Sequence, residues 1–206
     1  MIIGPLGLRA NCWRFSANPG RYDLVSAWHF DFRWAEPVVW AECAKSCPKD
    51  AEGHLMIQED CSCGIYATLS PSVLQTYITS SNHMIALVEA LDSDLPRGGN
   101  IWLHSSLQEI IGITRENLSE SYLWGACAPI LPRPVWRAGF TAPGVQMVYL
   151  VDVPQRPWYD KARLATAAAA EQLHLDVISL REALLLCQRQ WELYEMPWLA
   201  EWRIRG

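Results

Sequence analysis

The sequence predicts an α+β fold: a mainly antiparallel β-sheet region flanked by helices, with a C-terminal helical segment. Three observations predict it. Trp28, Phe30, Phe32 and Trp34 alternate with Ala27, His29, Asp31 and Arg33, the period-two pattern of a half-buried strand. Short apolar runs recur between proline-rich connections from Ile101 to Val153. The chain then turns alanine-rich and helical from Asp160, and Ser179-Leu180-Arg181-Glu182 reads as a capping box that opens another helix.

In chain order, residues 6–43 read as β structure. Leu8–Phe15 is one strand, Asn18-Pro19-Gly20 a turn, Tyr22–Ser26 a second strand, and Val38-Val39-Trp40 a short one leading to Cys43. Ser70 and Pro71 suit the N-cap and first position of an inserted helix whose apolar face is Val73, Leu74, Tyr77 and Ile78. A further helix is expected over 82–91, followed by a loop containing Pro96-Arg97-Gly98-Gly99. Strands are expected at 109–113, 121–125, 136–140 and 146–151, helix over 160–172, and a short strand or turn at 176–178. In the last helix Leu180, Leu184, Cys187, Trp191 and Tyr194 share one face. The domain expectation is a β-rich unit over 1–156 and a helical extension over 157–206 packed on it.

The chain has 206 residues and a formal charge of −5. Residues 1–100 carry 7 basic and 11 acidic side chains, and the remainder carry 10 and 11. Neither half is basic, which argues against a broad phosphate-binding face. Residues 1–5 lack a charged leader region, and no run approaches the roughly 18 apolar residues of a membrane span. A cytoplasmic location is expected. Seven cysteines in a reducing compartment are better read as metal ligands, where clustered, than as a disulfide framework.

The cluster reads Cys43-x3-Cys47-x6-His54-x6-Cys61-x-Cys63-Gly64. Structural zinc takes four thiolate or imidazole ligands. The preferred set is Cys43, His54, Cys61 and Cys63, with Cys47 as the alternative fourth ligand. A structural zinc ion fits a stretch with few large apolar groups after Trp40. Cys12, Cys127 and Cys187 are isolated and read as core residues.

Several elements together resemble an uncharacterised family of small bacterial and phage-borne proteins. They are Gly7-Leu8-Arg9, Leu24-Val25-Ser26, Ala41-Glu42-Cys43, and His54-x6-Cys61-Ser62-Cys63-Gly64-Ile65-Tyr66-Ala67, then Leu123-Trp124-Gly125 and Trp136-Arg137-Ala138 with Ala142-Pro143. The resemblance spans about residues 4–180. That family usually has Pro within three residues of the His, where this chain has Leu55-Met56-Ile57, and Cys47 is additional. The resemblance implies a metal-binding element and attaches no reaction to it.

No nucleophile–base motif and no phosphate-cradling loop is present in the sequence, so no catalytic residue is assigned. The first functional expectation is a zinc-stabilised accessory or protein-interaction subunit of a larger bacterial or mobile-element complex. Its partner would be another protein or a ribonucleoprotein, anchored by Trp191, Trp198 and Trp202 near the C-terminus. The alternative is an RNA- or DNA-binding module using aromatic residues with Arg133, Arg137 and Arg156. A zinc-dependent hydrolase ranks third. His83 and His174 are expected near helix ends, in capping roles.

Overall fold

The computed structural model describes residues 6–15, 22–26, 33–43, 47–49, 51, 53, 56, 63–68, 74, 78, 82–91, 102–104, 139–154 and 159–193. Their strands are β1 (Leu6–Phe15), β2 (Tyr22–Ser26), β3 (Arg33–Trp34), β4 (Val38–Trp40), β5 (Ile65–Thr68), β6 (His83–Leu91), β7 (Trp102–His104), β8 (Gly139–Ala142), β9 (Gly144–Asp152) and β10 (Val177–Ser179). Two helices follow the pattern read from the sequence, α1 (Tyr159–Leu173) and α2 (Leu180–Leu193). The α+β class is therefore observed, with a mostly antiparallel sheet; among the described strands only β10 pairs in parallel, with β9. Among the described residues no helix is long and apolar enough to cross a membrane.

β6 is the centre of the sheet. It lies between β1, from Leu6↔Glu89 to Cys12↔His83, and β9, from Ile85↔Val151 to Leu91↔Gly144. The β9 ladder shifts register at Leu87/Val88, where Val148 is the unmatched residue of a bulge. The outer edge of β1 is shared by β2, over residues 11–15, and β5, at Leu8↔Thr68. The outer edge of β9 is likewise shared by β4, over 144–146, and β10, over 150–152. β5 continues the sheet to β8 and β7.

The helix expected over 82–91 is thus a strand. Met84, Ile85, Ala86, Leu87 and Val88 are all fully buried, so both faces of β6 are covered. A strand buried on two faces reads as a continuous apolar run, and periodicity cannot tell such a run from a buried helix. Strong helix formers such as Met84, Ala86, Leu87 and Glu89 are overruled here by two flanking ladders. His83 accordingly opens a strand rather than ending a helix. Of the inserted helix expected after Ser70-Pro71, Leu74 is helical and buried and Ile78 is buried; its other residues lie outside the described set. The strands expected at 109–113 and 121–125 lie outside it too.

β8 and β9 are consecutive in the chain, yet the hydrogen-bonded path between them runs β8-β5-β1-β6-β9. In a flat sheet, strands four steps apart lie about 19 Å from each other. Here Pro143 alone separates Ala142 of β8 from Gly144 of β9. The sheet is therefore strongly curled, its far strands joined at a buried corner. The inside of the curl carries much of the core, and all of β8 is buried.

The helices cover the sheet: α1 packs on β9 and β6, and α2 on β1 and β9. α1 buries Ala162, Thr166, Ala169, Ala170 and Leu173, a helical stripe of mostly small residues that lets its backbone lie close to the strands. α2 buries Leu180, Ala183, Leu184 and Cys187. His174 caps α1 with a φ of 54°. Its N–H donates to Glu171 O at 3.3 Å and the Leu175 N–H to Ala170 O at 2.9 Å, the two bonds of a Schellman ending. The C-terminal capping role expected of His174 is met by its backbone.

The capping box at 179–182 is complete. The Ser179 N–H donates to Glu182 Oε2 at 2.9 Å, the Ser179 hydroxyl donates to the same oxygen at 2.8 Å, and the Glu182 N–H donates to Ser179 Oγ at 3.2 Å. Those donors hold the Glu182 carboxyl below its ordinary value of 4.5. Because the folded value is the lower one, the contribution is complete above 4.5 and is lost as pH falls through the depressed value. Ser179→Ala is expected to lower stability by about 1 kcal/mol at neutral pH. Denaturant melts across an acid series check it: the gap between wild type and variant should narrow as Glu182 protonates.

Candidate metal centre

The corner at Pro143 positions both ends of the cysteine-rich segment. On one side Trp40 pairs with Gly144, and the Ala41 N–H donates to Pro143 O at 2.7 Å, which carries the chain to Cys43. On the other side Ile65 pairs with Ala142, and Cys63 lies two residues before it. Gly64 links Cys63 to β5 with a φ of 107°, a conformation costly for residues with a Cβ. Two segments distant in sequence thus meet at residues 142–144.

Gly144 makes the approach of β4 possible. A Cβ there would lie 2.7 and 2.8 Å from Cζ3 and Cδ2 of Trp40, so the indole occupies the space a side chain would take. Between the two anchors, the Met56 N–H donates to Pro48 O at 2.8 Å and folds the segment back beside Cys47.

The result is a cluster of Cys43, Cys47 and Cys63, whose sulfur atoms all lie within 4.8 Å of one another. Cys47 Sγ and Cys63 Sγ are 3.4 Å apart. All three residues are half-buried and none is in a disulfide. Sulfurs bound tetrahedrally to an ion at about 2.3 Å are separated by about 3.8 Å. The spacing therefore matches thiolates gathered for one metal ion, and three sulfur donors favour a thiophilic one. Cys47, the alternative ligand of the sequence reading, sits in the cluster with Cys43 and Cys63. His54 and Cys61 lie outside the described residues.

The remaining cysteines behave differently. Cys12 and Cys187 are buried in the core, as expected from their isolation. Complete burial pushes the Cys187 thiol far up, so it stays protonated and inert. Cys127 is outside the described residues, as are Trp198, Trp202, Arg133, Arg137 and Arg156. Trp191 lies in α2, with its side chain outside the described set.

One arrangement near the centre was not foreseen. Arg9 of β1 donates from Nη1 to Tyr66 O at 2.6 Å and from Nη2 to Ser26 Oγ at 2.9 Å. Its guanidinium lies 5.6 Å from the centroid of the fully buried Trp34 ring, a cation–π contact. Arg9 thereby ties β5, which follows Cys63, to β1, β2 and β3. Among the described residues the ladder between β1 and β5 has the single pair Leu8↔Thr68, and the Arg9–Tyr66 hydrogen bond adds to it. An arginine within an aromatic and apolar strand was the available signal.

No protein-family model, no curated protein and no solved structure matches this chain.

Gly144→Ala is expected to force Trp40 aside and displace β4, at a cost of about 1–3 kcal/mol. Because Cys43 hangs from that strand, its alkylation by a thiol reagent should accelerate while that of Cys187 stays slow. Thermal melts and mass-resolved labelling check both parts.

Proposed function

We propose that this chain is a zinc-stabilised accessory or protein-interaction subunit, in which the metal centre orders the 43–63 segment and chemistry is not the task. The observation that carries the reading is the three-sulfur cluster. Soft donors of this kind suit a structural zinc ion closed by a fourth protein ligand, for which His54 and Cys61 are the candidates within the same segment. A fully coordinated ion leaves no position for a substrate, which ranks a zinc hydrolase below a structural role.

The motif residues that carry the family resemblance support the same reading. Arg9 donates hydrogen bonds to Ser26 and to Tyr66, and the Ala41 N–H donates to Pro143 O. These contacts brace the strands that carry the cysteines. In this reading the chain works in a reducing, cytoplasmic setting within a bacterial or phage-derived complex. Partner binding falls to the aromatic residues Trp191, Trp198 and Trp202 beyond or at the end of α2. Binding of RNA or DNA through Arg133, Arg137 and Arg156 is the alternative outcome, and the acidic balance of the chain ranks it second.

Native affinity purification of the full chain with metal analysis tests the proposal. One zinc ion per chain and a co-purifying protein are expected. Cys63→Ser should lose the zinc and melt roughly 5–10 °C lower, about 2–3 kcal/mol for a chain of this size. Deleting residues 196–206 should remove the partner and leave the zinc. Full zinc retention in Cys63→Ser would overturn the metal assignment, and recovery of nuclease-sensitive complexes alone would favour the nucleic-acid reading.

A further inference from the structure

Within the cluster, whose sulfurs all lie within 4.8 Å of one another, Cys47 Sγ and Cys63 Sγ are in direct contact at 3.4 Å. A disulfide has its sulfurs about 2.05 Å apart, so closing this pair needs an approach of only about 1.4 Å. Both residues are half-buried, which admits a small oxidant. The backbone beside them is not locked in a regular element: Cys47 precedes Pro48 in an irregular stretch, and Cys63 precedes Gly64 at the entrance to β5.

We infer that Cys47 and Cys63 form a peroxide-responsive dithiol, a modification site whose oxidation to a disulfide expels the metal ion. Hydrogen peroxide first takes two electrons from one thiolate: the O–O bond breaks, an S–O bond forms and hydroxide leaves. The second thiolate attacks that sulfur, the S–S bond forms, the S–O bond breaks and a second hydroxide leaves. Two protons, from the thiols of the metal-free form or from solvent in the loaded form, turn both hydroxides into water. The metal ion leaves unreduced as a dication, because Cys43 and the fourth ligand alone no longer make a closed four-ligand site.

The same loop stays pinned in either state. Cys47 and Cys63 are separated by 16 positions, and the disulfide closes the segment that the ion had closed. The anchors of that segment do not involve sulfur: β4 is held by β9, and β5 by β8 and Arg9. Oxidation therefore exchanges a metal pin for a covalent one and leaves the sheet intact. The dithiol itself needs no metal; its coupling to metal release rests on the zinc reading above.

The test treats the full zinc-loaded chain with hydrogen peroxide, follows zinc release with a chromogenic chelator, and maps cross-links by mass spectrometry after trypsin. Cleavage after Lys45 and Lys49 isolates Cys47 in the peptide Ser46–Lys49, apart from Cys43. Expected is a thiol-reversible link from that peptide to the one containing Cys63, formed as zinc is released. The link should persist in Cys43→Ser and Cys61→Ser and be absent in Cys47→Ser and Cys63→Ser. Linkage of Cys63 to Cys43 or Cys61 instead, or sulfinic acid without any cross-link, would overturn the inference while the metal reading survived. A 47–63 link in a chain that never holds zinc would sustain the dithiol and remove the metal reading.

Discussion

Pro143 joins two strands that the hydrogen-bonding order of the sheet places at a distance, and most of the molecule follows from that junction. A curled sheet has an inside, and the inside helps explain why β8 is buried throughout and β6 from His83 to Val88. The corner also offers both of its flanks to other strands. Ala142 receives β5 and Gly144 receives β4. Each of those strands is attached to one end of the cysteine segment, so the sulfurs meet because of how the sheet closes. The corner offers a backbone acceptor and an absent side chain: Pro143 O accepts from the Ala41 N–H, and Gly144 leaves room for Trp40.

Arg9 is the second brace. It is half-buried and bonded to one carbonyl and one hydroxyl, with an indole beneath it. A guanidinium suits this place better than an ammonium, since its planar fork reaches two acceptors on different strands and stacks on an aromatic face. The outer edge of β1 is divided between β2 and β5, and a divided edge is open to shear where one strand stops and the other begins. Arg9 spans that gap.

The legible parts of the sequence were those with local causes. Tyr22–Ser26 and Val38–Trp40 were found at their boundaries, as was the capping box that launches α2, because alternation, turn residues and cap chemistry act over a few positions. The helix α1 is legible from its alanine-rich composition, and the burial of Cys187 from helical spacing in α2. β6 is not legible as a strand because its cause is remote: nothing between Asn82 and Leu91 states that ladders lie on both sides. For the centre, a cluster was legible from spacing alone. The inclusion of Cys47 depends on a fold-back through Met56 and Pro48 that spacing does not encode. The Arg9 bridge was equally hidden, since its partners lie 17 and 57 positions away.

The anchoring of the 43–63 segment has an architectural consequence. Both of its roots belong to the sheet, and they emerge side by side at one corner. A loop with adjacent, independently held roots can change length or content at little entropic expense, because its closure is already provided by the sheet. Pro143, Gly144 and Trp40 form a fixed socket for the segment, and the length of chain between Cys47 and Cys63 can change without moving the strands that hold its roots.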